Sequence, residues 1–134
     1  MKNTWIILLM LLIISCGNSK SNQETENKKM KLTVLSNYGE TEKTVSDSTT
    51  IEQVKNIMKS LDWQDFHQVV LEQVNGDWIE VGGNIGEDGL SAMYEESGEQ
   101  YVINEPPSSV KHMTEILLSY LQGDNKFKED NKFE

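Results

Sequence analysis

The stretch His67–Gly83, HQVVLEQVNGDWIEVGG, decides the fold. Asn75-Gly76 stands between two segments rich in apolar β-formers, and an Asn-Gly pair supplies the positive-φ positions of a tight hairpin turn. The reading is a pair of antiparallel strands, 67–74 and 77–82.

The pattern continues outward on both sides. Val81–Leu90, VGGNIGEDGL, places four glycines in ten residues ahead of another strand-like run, Leu90–Glu95, and Gln100–Asn104 follows a short turn at Ser97-Gly98. Four strands in a row make a meander. Pro106-Pro107 ends it, Ser108 or Ser109 caps a helix, and Val110, Met113, Leu117 and Leu121 give that helix an apolar stripe before Gly123 stops it. Upstream, Lys31–Ser36 and Thr41–Ser46 flank Asn37-Tyr38-Gly39-Glu40, a second hairpin. Thr49 or Thr50, with Glu52 or Gln53 in the reciprocal position, caps a helix whose Ile51, Val54, Ile57 or Met58, and Leu61 form one face. The order ββαββββα predicts an α+β domain over residues 30–123. Its mostly antiparallel sheet is expected to carry two helices packed on one face.

The glycine loop raises the question of a ligand. A phosphate site wants a helix N-terminus and a cation, but here a strand follows and Glu87-Asp88 would repel an anion. Calcium fits the chemistry better, since Asn84, Glu87 and Asp88 supply oxygens, yet their spacing matches no EF-hand loop. The simplest reading is a wide connection between strands that offers two carboxylates to a partner.

No residue pattern points to catalysis. The two histidines, His67 and His112, read as structural, and the chain contains no nucleophile elbow, zinc-protease or Walker motif. The expectation is therefore a non-enzyme with no cofactor and no metal. Charge says more. The chain has no arginine, and between Lys59 and Lys111 it has no lysine either, while acids recur throughout that segment. Such a surface repels nucleic acid and speeds encounter with a basic protein. Trp63, Phe66, Trp78, Tyr94 and Tyr101 lie in the same segment, and aromatics rimmed by charge are common anchors of protein interfaces. Trp78, Glu80, Glu87, Asp88, Glu95, Glu96 and Glu99 are the candidate partner-binding residues. An alternative is a small-ligand or cell-wall-binding pocket lined by Trp63, Trp78 and Tyr94.

The N-terminus speaks to location. Lys2 precedes an apolar run, Trp5 to Ile14, of secretory length and too short to span a bilayer. Ile13-Ile14-Ser15-Cys16 resembles the bacterial lipobox, and the resemblance implies cleavage of residues 1–15 and lipidation of Cys16, the single cysteine. Loss of Lys2 leaves 11 lysines against 22 acids, a net charge of −11. Residues 16–29 lack large apolar side chains and read as a flexible tether with a span of roughly 20 Å. The expected location is the bacterial cell envelope. Under the enterobacterial sorting rule, Gly17 after the cysteine favours the outer membrane if the cell has two. Residues 124–134, DNKFKEDNKFE, read as a disordered tail, with the repeated Asn-Lys-Phe open to local packing.

Over about Thr50–Gly123 the domain resembles the first-numbered family of immunity proteins from bacterial polymorphic-toxin systems. The resemblance rests on the first helix, Val69-Val70-Leu71-Glu72, Trp78-Ile79-Glu80-Val81-Gly82-Gly83, Gly89-Leu90-Ser91-Ala92-Met93-Tyr94, the Pro106-Pro107 break and the final helix. It implies a protein that binds a cognate toxin, often a basic nucleic-acid enzyme, and plugs its active site without chemistry of its own. A lipid on Cys16 departs from that pattern, because it would place the domain outside the cytoplasm.

Overall fold

The fold is taken from a computed structural model, which describes residues 29–134. The expected leader, Cys16 and nearly all of the expected tether lie outside the described residues. Strands β1 (Met30–Ser36) and β2 (Thr41–Ser46) are followed by helix α1 (Ile51–Ser60). Strands β3 (His67–Gln73), β4 (Trp78–Asn84), β5 (Gly89–Glu96) and β6 (Glu99–Val102) come next, and helices α2 (Val110–Gln122) and α3 (Lys126–Asp130) close the chain. The six strands form one sheet in the order β2-β1-β3-β4-β5-β6, with every neighbouring pair antiparallel. This is an α+β fold with an open sheet.

Local signals set the elements. Thr50 caps α1, its hydroxyl accepting from the Gln53 amide while the Gln53 side chain accepts from the Thr50 amide. Ser109 caps α2, and Gly123 ends it in the left-handed conformation. The β1–β2 turn holds Asn37, Tyr38 and Gly39 at positive φ, which matches the twist of a tight hairpin.

Strand register sorts side chains into two sets, because successive residues point to opposite faces. One set pairs Leu32 with Leu71, Ile79, Tyr94 and Tyr101 in a row across the sheet, and Val34 with Val69, Val81 and Ala92 in the next. These residues share a single core with Val54 and Met58 of α1 and Met113, Ile116, Leu117 and Tyr120 of α2. Trp63 belongs to that core too, its indole donating to the Met58 carbonyl at 3.0 Å.

The C-terminal residues correct the expectation of a disordered tail. Phe127 of α3 is 4% exposed and meets the Tyr94 and Tyr120 rings edge-on. Beyond it, Val102 exchanges both backbone hydrogen bonds with Glu134, and the Asn104 amide donates to the Lys132 carbonyl. Residues 132–134 thus cover the edge of the sheet where β6 ends, a position that would otherwise be open to unwanted pairing. Residues 124–134 are therefore part of the packed fold.

Candidate functional site

Three connections meet at one end of the sheet: the β1–β2 turn, the α1–β3 segment and the β4–β5 loop. Tyr38 stacks on Phe66 with ring centroids 4.4 Å apart, and its hydroxyl donates to Asp88 at 3.1 Å. The Ile85 amide donates to the Trp63 carbonyl at 2.8 Å, tying the glycine loop to the α1–β3 segment. Tyr38 is 67% exposed and Ile85 56% exposed. Five acids, Glu40, Asp62, Asp65, Glu87 and Asp88, lie in these three segments, and no lysine does. A depression of about 710 Å³ between the segments is bordered by Tyr38, Glu40, Asp65 and Glu87.

The glycine loop is shaped from inside. Asn84 is buried, and its carbonyl oxygen accepts from the amides of Glu87 and Asp88, each at 2.8 Å, while its amide donates to the Asp88 carboxylate at 2.9 Å. Asn84 is therefore spent on holding the turn and on aiming Glu87 and Asp88. Gly83 has φ of +117°, and a Cβ there would lie 1.9 Å from the Gly89 carbonyl oxygen. Only glycine fits where the loop closes. The Asp88 carboxylate beside Tyr38, hydrogen-bonded to it, raises the phenol pKa, so the hydroxyl stays a donor.

The second set of strand residues makes the other face of the sheet, running away from this end toward the β3–β4 turn. Lys31, Glu72, Trp78, Glu95 and Gln100 make one row across the sheet, so Trp78 stands between two glutamates. Thr33, Val70, Glu80, Met93 and Val102 make the next. Glu80 is half-buried between Val70 and Met93, and one of its oxygens accepts from the Gln68 amide at 2.8 Å. Burial pushes its pKa up, and the Gln68 hydrogen bond opposes that only in part.

The predicted site residues therefore divide. Trp78, Glu80 and Glu95 share the strand set outside the core, but Trp78 and Glu95 pair at the end of β4 and β5 away from the loop that carries Glu87 and Asp88, so these residues are not brought together. Glu96 points with the core set, where Lys128 binds both its oxygens at 2.9 and 3.0 Å. Glu99 accepts from the Tyr101 hydroxyl at 2.7 Å. These last two are engaged within the fold. Cys16 lies outside the described residues.

Other expectations change with the geometry. Trp63, Trp78 and Tyr94 do not line one pocket, since Trp63 and Tyr94 are in the core and the Tyr94 neighbour Ile79 puts Trp78 on the opposite face. Nothing in the sequence marks Tyr38 or Ile85 as exposed anchors of this surface. A tyrosine in a turn carries no signal of the ring it will stack on, and only the high positive-φ content of Asn37–Glu40 hinted at a special backbone there. His67 is hydrogen-bonded to Ser36 at 2.8 Å, and His112 to Asn131 at 2.8 Å, which fits structural roles. Among the described residues no group of three or more His, Cys, Asp or Glu could hold a metal, and no helix is long and apolar enough to cross a membrane.

Comparison of the chain with models of protein families, with curated proteins and with solved structures finds no match.

Proposed function

We propose that this is a protein-binding domain, tethered to the bacterial cell envelope by lipid on Cys16, that captures a basic protein partner. The helices cover one face of the sheet, and the binding surface runs from the loop end onto the other. One observation carries the reading: the exposed Tyr38, stacked on the half-buried Phe66, and the exposed Ile85 sit among five carboxylates, without a lysine in the segments that build the surface. Rigid aromatics ringed by charge suit a protein interface, the ring supplying contact area and the charge supplying orientation and encounter rate. The likeness to toxin-immunity proteins suggests that the partner is a toxin, neutralised by occlusion rather than by catalysis. A small-ligand or cell-wall-binding role is the weaker reading, because the aromatics it needed stand on two faces.

The test is capture of proteins from the envelope fraction by the full chain, beside the triple variant Tyr38→Ser, Glu87→Lys, Asp88→Lys. A basic protein retained by the parent at low salt, released at high salt and missed by the variant fits the reading. Equal retention by both chains contradicts it. For the tether, Cys16→Ser is expected to abolish incorporation of labelled fatty acid and to move the chain out of the membrane fraction.

A further inference from the structure

Gly82 leaves a gap in the sheet surface beside Glu80. It pairs with Gln68 on one side and Ser91 on the other, and with no side chain of its own it forms the floor of a cavity of about 140 Å³. Phe66 and Met93 give that cavity apolar walls, and the carboxylates of Glu80 and Asp88 give it negative charge. Ligand pockets for cofactors or drug-sized molecules run to roughly 300–1,000 Å³. This one has room for a single side-chain head group.

Resting on the protein-binding reading above, we propose that this cavity is the receptor for one arginine side chain projected by the partner. Glu80 sits among apolar cross-strand neighbours, and among the described residues only Gln68 bonds to it, leaving one oxygen free. A half-buried carboxylate without a cation weighs on folding, and a cation brought by a partner relieves that burden. The aliphatic stem of an arginine would lie along Met93 and Phe66, as long basic side chains commonly do on apolar surface. Its planar fork of donors suits carboxylates better than the single ammonium of lysine. The chain itself contains no arginine, so neither its own segments nor a second copy can supply one. The arginine must come from another protein.

The experiment follows the Gln68 side-chain amide and the Met93 methyl by NMR in the detergent-solubilised full chain. The probes are acetyl-arginine amide, acetyl-lysine amide and the uncharged acetyl-citrulline amide. Saturable shifts with arginine, weaker ones with lysine and none with citrulline are expected. Glu80→Gln should weaken the arginine response by about tenfold or more, the scale of one charge-assisted hydrogen bond, while Glu99→Gln leaves it unchanged. A thermal melt of each variant checks that it folds. No saturable shift, equal binding of citrulline or lysine, or an unchanged Glu80→Gln response overturns the inference. Capture of a partner without arginine binding defeats this pocket alone. Arginine binding at Glu80 without any captured protein supports the pocket and defeats the protein-partner reading.

Discussion

Gly83 and Glu80, three positions apart on β4, show how single residues trade stability for a shaped surface. A Cβ at Gly83 collides with the Gly89 backbone and would have to adopt a positive φ as well. Gly83→Ala should therefore destabilise the domain by on the order of 3 kcal/mol. Gly86 has an ordinary φ and only the Gln64 side chain near, at 3.9 Å. Gly86→Ala should stay within roughly 0.5 kcal/mol of the parent, and chemical denaturation of both variants checks the contrast. At Glu80 the expectation is a gain. Burial raises its folded-state pKa above the ordinary glutamate value, so the fold favours the protonated acid. The burden of the charge is absent below the unfolded pKa and grows as pH rises through the folded one. Glu80→Gln should accordingly melt with the parent in acid and above it at neutral pH, and a gap that fails to widen between those limits contradicts the burial argument.

At the scale of elements, the legible parts were those with local chemistry. Asn75-Gly76 marked the β3–β4 hairpin, Thr50 with Gln53 marked the start of α1, and Gly123 marked the end of α2, because each acts on backbone groups a few residues away. The C-terminal segment was not legible. Phe127 and Phe133 are isolated apolar residues in a charged stretch, too sparse for a helical or strand period, and α3 is only five residues long. Two of their partners, Tyr94 and Ile103, are distant in sequence, so much of the segment's order comes from tertiary packing that no local pattern announces. The same holds for Tyr38 on Phe66. Phe127→Ala removes a buried ring and should destabilise the domain by about 3–5 kcal/mol. A denaturation midpoint equal to that of the parent would restore the disordered tail.

The whole molecule is acidic, with a formal charge of −10, but its lysines and acids are not evenly mixed. Lys128 is drawn to Glu96, and Lys111 and Lys132 pair with Glu115 and Glu134, so part of the charge is compensated around α2 and α3. The loop end has no such compensation within its own segments. Asn84 holds Glu87 and Asp88 in place there, and Asp88 holds Tyr38, so the carboxylates and the exposed ring form one preorganised surface. Preorganisation spares a partner the entropy of ordering that surface on binding. The sequence announced the acids and the glycines but not the ring that joins them. Photo-crosslinking in intact cells tests the surface most directly, with a photoreactive residue placed at Tyr38 or Ile85 and, as controls, at the exposed Lys55 of α1 or Lys111 of α2. The account predicts one adduct with a basic protein from positions 38 and 85 and none from the helices. Adducts from the helices alone, or from no position, contradict it.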